Sequence, residues 1–223
     1  MLKRAISGAI LVAFMLLMIL LSSQTYLLLW IILASLTLVE FFSLMAKHGA
    51  KFNGARVLVT ILGAIYIFGS YSLLAFGFGD SQASGMLIVS VLTLIWSNDV
   101  GAYLFGMSFG RHKMAPRISP KKTWEGFFGG LISAVGVAIL WQVFYWGDAS
   151  ASSLPLDYLF FGGLGLVSGL GAVLGDLLES AFKRRLQIKD SGRIIPGHGG
   201  MLDRFDALLM AAPLVWLYIL III

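Results

Sequence analysis

GAVLGDLLESAFKRRLQIKDSGRIIPGHGGMLDRFDALLMAAPLVWLYIL, Gly171 to Leu220, opens on an apolar run, crosses a polar segment rich in Lys, Arg, Asp and Gly, and closes on a second apolar run. About 20 apolar residues match the ~30 Å hydrocarbon core of a bilayer. The two flanks therefore predict membrane-crossing helices, and the middle predicts a loop at one membrane face. A charge costs roughly 2.5 to 3.5 kcal/mol at the centre of a membrane helix. The grouped ionisable side chains between Ser180 and Asp206 thus mark the place where chemistry is expected.

Outward from this stretch the chain has the same character. Of its 223 residues 59% are hydrophobic and 12% charged, with a mean hydropathy of +0.91; no soluble fold has interior enough to hide so much apolar surface. Windows of membrane-spanning length fall at roughly 5 to 22, 26 to 46, 57 to 78, 85 to 106, 124 to 146, 156 to 180 and 206 to 223. The expected fold is all-α: a polytopic integral membrane helical protein of about seven transmembrane helices. Lys3 and Arg4 precede an apolar run too long for a signal peptide, and Ser22-Ser23-Gln24 is a poor cleavage site, so residues 1 to 23 read as a retained first span.

Basic residues gather in cytoplasmic loops. With the N-terminus cytoplasmic, all 16 Lys and Arg residues fall on that side, in the groups Lys3 and Arg4, Lys47 to Arg56, Arg111 to Lys122 and Lys183 to Arg204. The opposite loops carry only Asp80, Asp148 and Asp157. The Lys47 to Arg56 loop is equally well explained as insertion signal and attraction to anionic lipid headgroups. The chain has no cysteine, which excludes disulfides and thiolate-bound metals and leaves oxygen ligands, suited to magnesium or calcium.

Asp176 and Glu179 lie three residues apart, on one helix face, with Lys183 a further turn along. Asp203 and Asp206 repeat the spacing where the last span begins. Two helix ends thus bring carboxylate pairs to one mouth, where they could hold one or two hard divalent cations. The plainer alternative makes Asp203 a helix cap and Asp206 an ion-pair partner of Arg204 or a lysine. Asn98 and Asp99, in LIWSNDVGAYLFG, lie inside the fourth span, where a carboxylate is a functional candidate by default or else a helix-to-helix hydrogen bond. Glu40, in the second span, has no comparable partner in sequence and reads as structural.

RISPKKTWEGFFGG precedes and opens the fifth span. Lys121, Lys122 and the unpaired N–H groups of a helix start make an anion site, and the Ser119 and Thr123 hydroxyls can donate to phosphate oxygens. Gly126, Gly129 and Gly130 allow another helix or a ligand to approach closely. Pro196 to Gly200 reads as a turn whose N–H groups could hold an anion, and His198 within it could contact phosphate.

The whole stretch from Ser180 to Asp206 resembles the signature of the phosphatidate cytidylyltransferase family. It matches at Ser180, Lys183-Arg184, Lys189-Asp190, Gly192, Pro196, His198-Gly199-Gly200, Asp203-Arg204 and Asp206. NDVGAYLFG and ISPKKTWEGFFGG resemble the family's other blocks, in order, over roughly the C-terminal 60% of the chain. The resemblance implies transfer of a cytidylyl group from CTP to phosphatidic acid, giving CDP-diacylglycerol and pyrophosphate. It implies a metal centre on Asp176, Asp203 and Asp206, holding Mg2+ with a possible monovalent cation as companion, and a catalytic set of these three with Lys183. Substrate contacts would come from Asn98, Asp99, the Ser119 to Glu125 block (Ser119, Lys121, Lys122, Thr123, Glu125), Arg184, Lys189, His198, Gly199, Gly200 and Arg204.

The expected organisation is one membrane-embedded cytidylyltransferase domain over 1–223, with N-terminal spans in 1–80 and the catalytic part in 85–223. Its partners would be CTP, phosphatidic acid and membrane lipid, with no nucleic acid and a homodimer as the candidate assembly. Its location would be the bacterial inner membrane, active site facing the cytoplasm. An ion-coupled transporter using Asp99, Asp176 and Glu179 is the competing reading from another class, though no pair of broken helices supports it.

Overall fold

A computed structural model describes residues 2–48, 54–78, 82–146, 158–192, 194 and 199–222. Among the described residues there are seven long helices: α1 (Leu2–Leu21), α2 (Ser23–His48), α3 (Gly54–Ser72), α4 (Gln82–Phe109), α5 (Trp124–Trp141), α6 (Tyr158–Arg185) and α7 (Leu202–Ile222). α3 and α5 each end in a wider π-helical turn, Leu73–Gly77 and Gln142–Trp146. Among the described residues six helices are long and apolar enough to cross a membrane; α1 offers the shorter apolar stretch Ser7–Leu21. The fold is that of a polytopic helical membrane protein, as the hydropathy requires. Large apolar side chains such as Ile31, Ile61, Phe128, Ile132 and Leu140 stand exposed along the helices, a surface suited to lipid rather than water.

Two departures from the sequence reading bear on the site. Residues 113 to 123, expected as loop and helix start, form an antiparallel hairpin of β1 (Lys113–Ala115) and β2 (Ser119–Thr123). Strands this short carry no readable alternation. The second departure is in the helix ends, which run past the expected spans: α6 continues to Arg185 and α7 starts at Leu202, so Lys183 and Asp203 join Glu179 and Asp206 on helical turns.

The tightest packing joins α4 with α5 and α6 with α7; α5 also lies on α6, α1 on α2 and α4, and α3 on α2 and α7. Phe41 of α2 meets Phe182 of α6 with ring centroids 5.8 Å apart, and Tyr71 of α3 meets Phe205 of α7 at 6.4 Å. These contacts seat the N-terminal helices against the end of the bundle where the charged residues lie. Gly126 and Gly130 of α5 face α4, with α4 carbonyls 2.7 and 2.8 Å from where a Cβ would stand. The close approach expected of these glycines is thus made to a helix.

Candidate active site

The α6–α7 crossing decides where the carboxylates meet. At Gly175 a Cβ would run into the backbone carbonyl of Asp206 and lie 3.0 Å from the Cα of Ala207. Only glycine lets the two helices touch at that level, and the contact brings Asp176, one residue on, beside the first turns of α7. One carboxylate oxygen from each of Asp176, Glu179 and Asp206 lies within 4.8 Å of the others.

Two lysines flank this cluster. Lys122, from the end of β2, places its ammonium 2.6 Å from Asp176 Oδ2, and the Ser180 hydroxyl donates to Oδ1 at 3.2 Å. Lys183 bridges Glu179 Oε2 at 2.5 Å and Asp203 Oδ1 at 2.7 Å. The two lysines join α6 to the hairpin and to α7. Asp176 keeps 43% of its side-chain surface exposed, against 5% for Glu179 and 8% for Asp203; Asp176 is therefore the carboxylate open to an arriving ligand.

Asp203 has a different setting. Its Oδ2 accepts the backbone N–H groups of Ser191 and Gly200, both at 2.9 Å. Gly199 adopts φ +88, and a Cβ there would stand 2.8 Å from Asp203 Oδ2; a side chain would face both steric and backbone strain. Asp203 so ties the preceding segment onto α7, while sharing Lys183 with Glu179. The trio that converges in space is Asp176, Glu179 and Asp206, and Asp203 joins it through Lys183. The sequence spacing makes Glu179 half of a carboxylate pair, while the family resemblance implies Asp203 rather than Glu179 in the metal set.

A cavity of about 610 Å3 opens over this cluster, lined by Asn98, Asp99, Lys121, Lys122, Thr123, Asp176, Glu179, Lys183, Asp190, Asp203, Arg204 and Asp206 among others. Most of the expected site residues meet there. Asn98 is 1% exposed, and its Oδ1 is buried without a hydrogen-bond partner; an orphaned acceptor at a cavity wall is costly unless a ligand donor completes it. Asp99 is exposed and lines both this cavity and a smaller one of about 260 Å3 between α1, α4 and α7.

Other expected residues serve the frame. Thr123 is the N-cap of α5, its hydroxyl accepting from Gly126 N–H at 3.2 Å. Glu125 accepts from the backbone N–H of His112 at 3.2 Å and pairs with its Nδ1 at 2.7 Å, pinning the base of the hairpin. Arg184 Nε donates to the carbonyl of Ile118 in the hairpin turn at 3.4 Å. Ser119 lies half-buried at the start of β2, away from the cavity lining, and Lys189 is exposed on the segment after α6, likewise outside that lining. Gly200 is buried. His198 lies outside the described residues.

The donor set fits a hard divalent cation. It is all oxygen, one oxygen from each of three carboxylates lies within 4.8 Å of the others, and Glu179 Oε1 is buried with no hydrogen-bond partner. A buried carboxylate oxygen left without a donor is unfavourable, and a bound cation would satisfy it.

A sequence profile described as the cytidylyltransferase family matches residues 3–222. The chain belongs to the cytidylyltransferase family. Curated relatives named phosphatidate cytidylyltransferase include one from Staphylococcus epidermidis, 41% identical over 138 residues, 61% of this chain and 50% of the relative. One from Staphylococcus aureus is 43% identical over 138 residues with the same shares. One from Bacillus subtilis is 45% identical over 123 residues, 55% of this chain and 43% of the relative. The chain thus spans about half the length of the curated relatives it matches.

Proposed function

We propose that the protein transfers a cytidylyl group from CTP to phosphatidic acid, forming CDP-diacylglycerol and pyrophosphate. The observation that carries this reading is the convergence of Asp176, Glu179 and Asp206, with Lys122 and Lys183 alongside, on one cavity at the ends of membrane helices. Family membership supports the nucleotide, and the apolar surroundings support the lipid.

The lipid phosphate monoester is already anionic near neutral pH, so the attacking oxygen needs no side chain to take its proton. One of its oxygens bonds to the α-phosphorus of CTP while the bond from that phosphorus to the α,β-bridging oxygen breaks, releasing pyrophosphate. What the chain must do is hold two anions close and in line. Lys121 and Lys122 face the cavity from the hairpin and offset triphosphate charge. Lys183 lowers the local negative charge beside Glu179 and Asp203. The unpaired Asn98 carbonyl is the acceptor available to a cytosine amino group. Asp176, Glu179 and Asp206 would hold Mg2+, with a second, monovalent cation as its companion, and the metal would supply charge neutralisation for the triphosphate and its leaving group.

Place for a lipid tail exists beside the same carboxylates. An apolar groove of about 320 Å3, lined by Phe41, Val59, Leu62, Tyr66, Leu178 and Phe182, also has Glu179 and Asp206 on its wall. α3, which forms its outer side, has 22% of its span buried, against 56% for α4 and α6. A phosphate at the cluster thus leaves the attached chain in an apolar channel. The basic segments argue for a site on the cytoplasmic face of a bacterial inner membrane.

The test is incubation of purified protein with labelled CTP, phosphatidic acid and Mg2+, with ATP, dCTP and ether-lipid controls. Labelled CDP-diacylglycerol is the expected product. No metal-dependent lipid product from CTP overturns the proposal.

A further inference from the structure

The segment between α6 and α7 is held from outside itself, by a residue whose sequence context suggested only a structural role. Glu40, in α2, is 4% exposed. Its carboxylate accepts the Ser191 hydroxyl at 2.6 Å, the Met201 N–H at 2.9 Å and the Leu202 N–H at 3.0 Å. The last two are open donors at the start of α7, so Glu40 caps a helix it does not belong to. The fit is close on the other side too. A Cβ on Gly192 would stand 2.7 Å from Glu40 Cδ, and one on Gly200 would stand 2.6 Å from it.

Ser191 carries the contact onward. Its N–H donates to Asp203 Oδ2 at 2.9 Å, and its hydroxyl accepts the Asp203 N–H at 3.3 Å. Asp203 pairs with Lys183, and Lys183 with Glu179. A continuous path of hydrogen bonds and ion pairs therefore runs from the second helix through Glu40, Ser191, Asp203 and Lys183 to the carboxylate cluster.

We infer that Glu40 is a positioning residue: through Ser191 and the first turn of α7 it sets where Asp203 and Asp206 stand relative to Asp176 and Glu179. Binding of a divalent cation at the cluster depends on it, and this cation step alone rests on the proposed function. The side chain touches neither the cavity nor any reacting group.

Glu40→Gln keeps the size of the side chain but turns an amide N–H2 toward a donor that now has an acceptor. Two readouts separate the inference from the function it serves. Hydrogen exchange at Ser191, Met201 and Leu202 in the full-length protein should quicken at least tenfold in Glu40→Gln, while the exchange of α4 and α5 stays as in the parent. Mn2+ titration followed by electron paramagnetic resonance should show binding weakened at least tenfold. Gly192→Ala pushes on the same carboxyl from the opposite side and should give both changes. Glu40→Ala combined with Gly192→Ala removes the atoms that the new methyl meets but also the acceptors for Ser191, Met201 and Leu202, so Mn2+ binding should stay weakened, and its restoration to the parental level would overturn the inference.

Unchanged exchange in a folded Glu40→Gln overturns the inference whatever the metal does. So does quickened exchange with Mn2+ binding equal to the parent. Failure of Glu40→Gln, Gly192→Ala and Ser191→Ala all to fold would assign Glu40 to the stability of the bundle, and equally overturns it. If the parent binds no Mn2+, the metal centre of the proposed function fails, and hydrogen exchange still decides the positioning.

Discussion

Asp203 and Asp206 stand three residues apart on α7 and meet opposite surroundings. Asp203 is neutralised by Lys183 and by two backbone N–H groups, whereas Asp206 faces Asp176 and Glu179. Substituting each by asparagine should therefore have opposite effects on the metal-free protein. Asp203→Asn removes a charge-assisted hydrogen bond and should cost about 1.5–3 kcal/mol, lowering the thermal midpoint in detergent and abolishing turnover in a protein that still folds. Asp206→Asn relieves repulsion among three carboxylates and should raise that midpoint while abolishing turnover and Mn2+ binding. Differential scanning fluorimetry beside the CTP assay reads both, and unchanged turnover in Asp203→Asn would remove it from the site. The i,i+3 spacings were legible in the sequence because they fix which side chains share a helix face. That Asp203 would turn to Lys183 and Glu179 to the cluster was not, since both pairs obey the same spacing rule.

The hairpin of β1 and β2 is the element that carries cations to the cluster, and α5 is the element that anchors it. Thr123 caps α5, Glu125 holds His112, and the Trp124 N–H donates to the His112 carbonyl at 2.9 Å. These three contacts fix the base of a strand whose Lys122 reaches Asp176. Thr123→Ala should cost about 1 kcal/mol through the lost cap and should raise the KM for CTP more than it lowers kcat, because the bond broken lies in the frame of the anion site. An equal fall in kcat with KM unchanged would contradict this role. The α6–α7 pair behaves differently. Gly175→Val places methyl groups against the Asp206 backbone and should cost about 1–3 kcal/mol by overpacking, separating Asp176 from Asp206 and weakening Mn2+ binding. A folded Gly175→Val with parental cation affinity would show that the crossing does not set the cluster. The start of α5 could be read from its Trp-Glu-Gly sequence and the Thr before it, but the hairpin could not: its strands are too short for periodicity to distinguish them from loop.

At the scale of the molecule, the basic loops predict one orientation and the absence of cysteine makes it directly measurable. Single cysteines at Lys189, beyond the end of α6, and at Phe144, in the π-helical turn that closes α5, should label from opposite sides of sealed inverted vesicles. Lys189→Cys should react with an impermeant maleimide added outside such vesicles, and Phe144→Cys only after permeabilisation. The reverse pattern would place the cavity on the outer face and remove it from a cytoplasmic nucleotide pool. Composition together with the length of the apolar runs determined that the chain is helical and membrane-embedded, because about 20 consecutive apolar residues cross the hydrocarbon as a helix that satisfies its own backbone groups. Local spacing determined which acidic and basic side chains share a face. Only the tertiary structure decided which faces meet: Gly175 admits the backbone of α7, Phe41 packs on Phe182, and Glu40 reaches Ser191 across 151 residues. Covalent spacing governs neighbours within one helix. Contact between helices distant in sequence depends on how their surfaces fit, which no local pattern records.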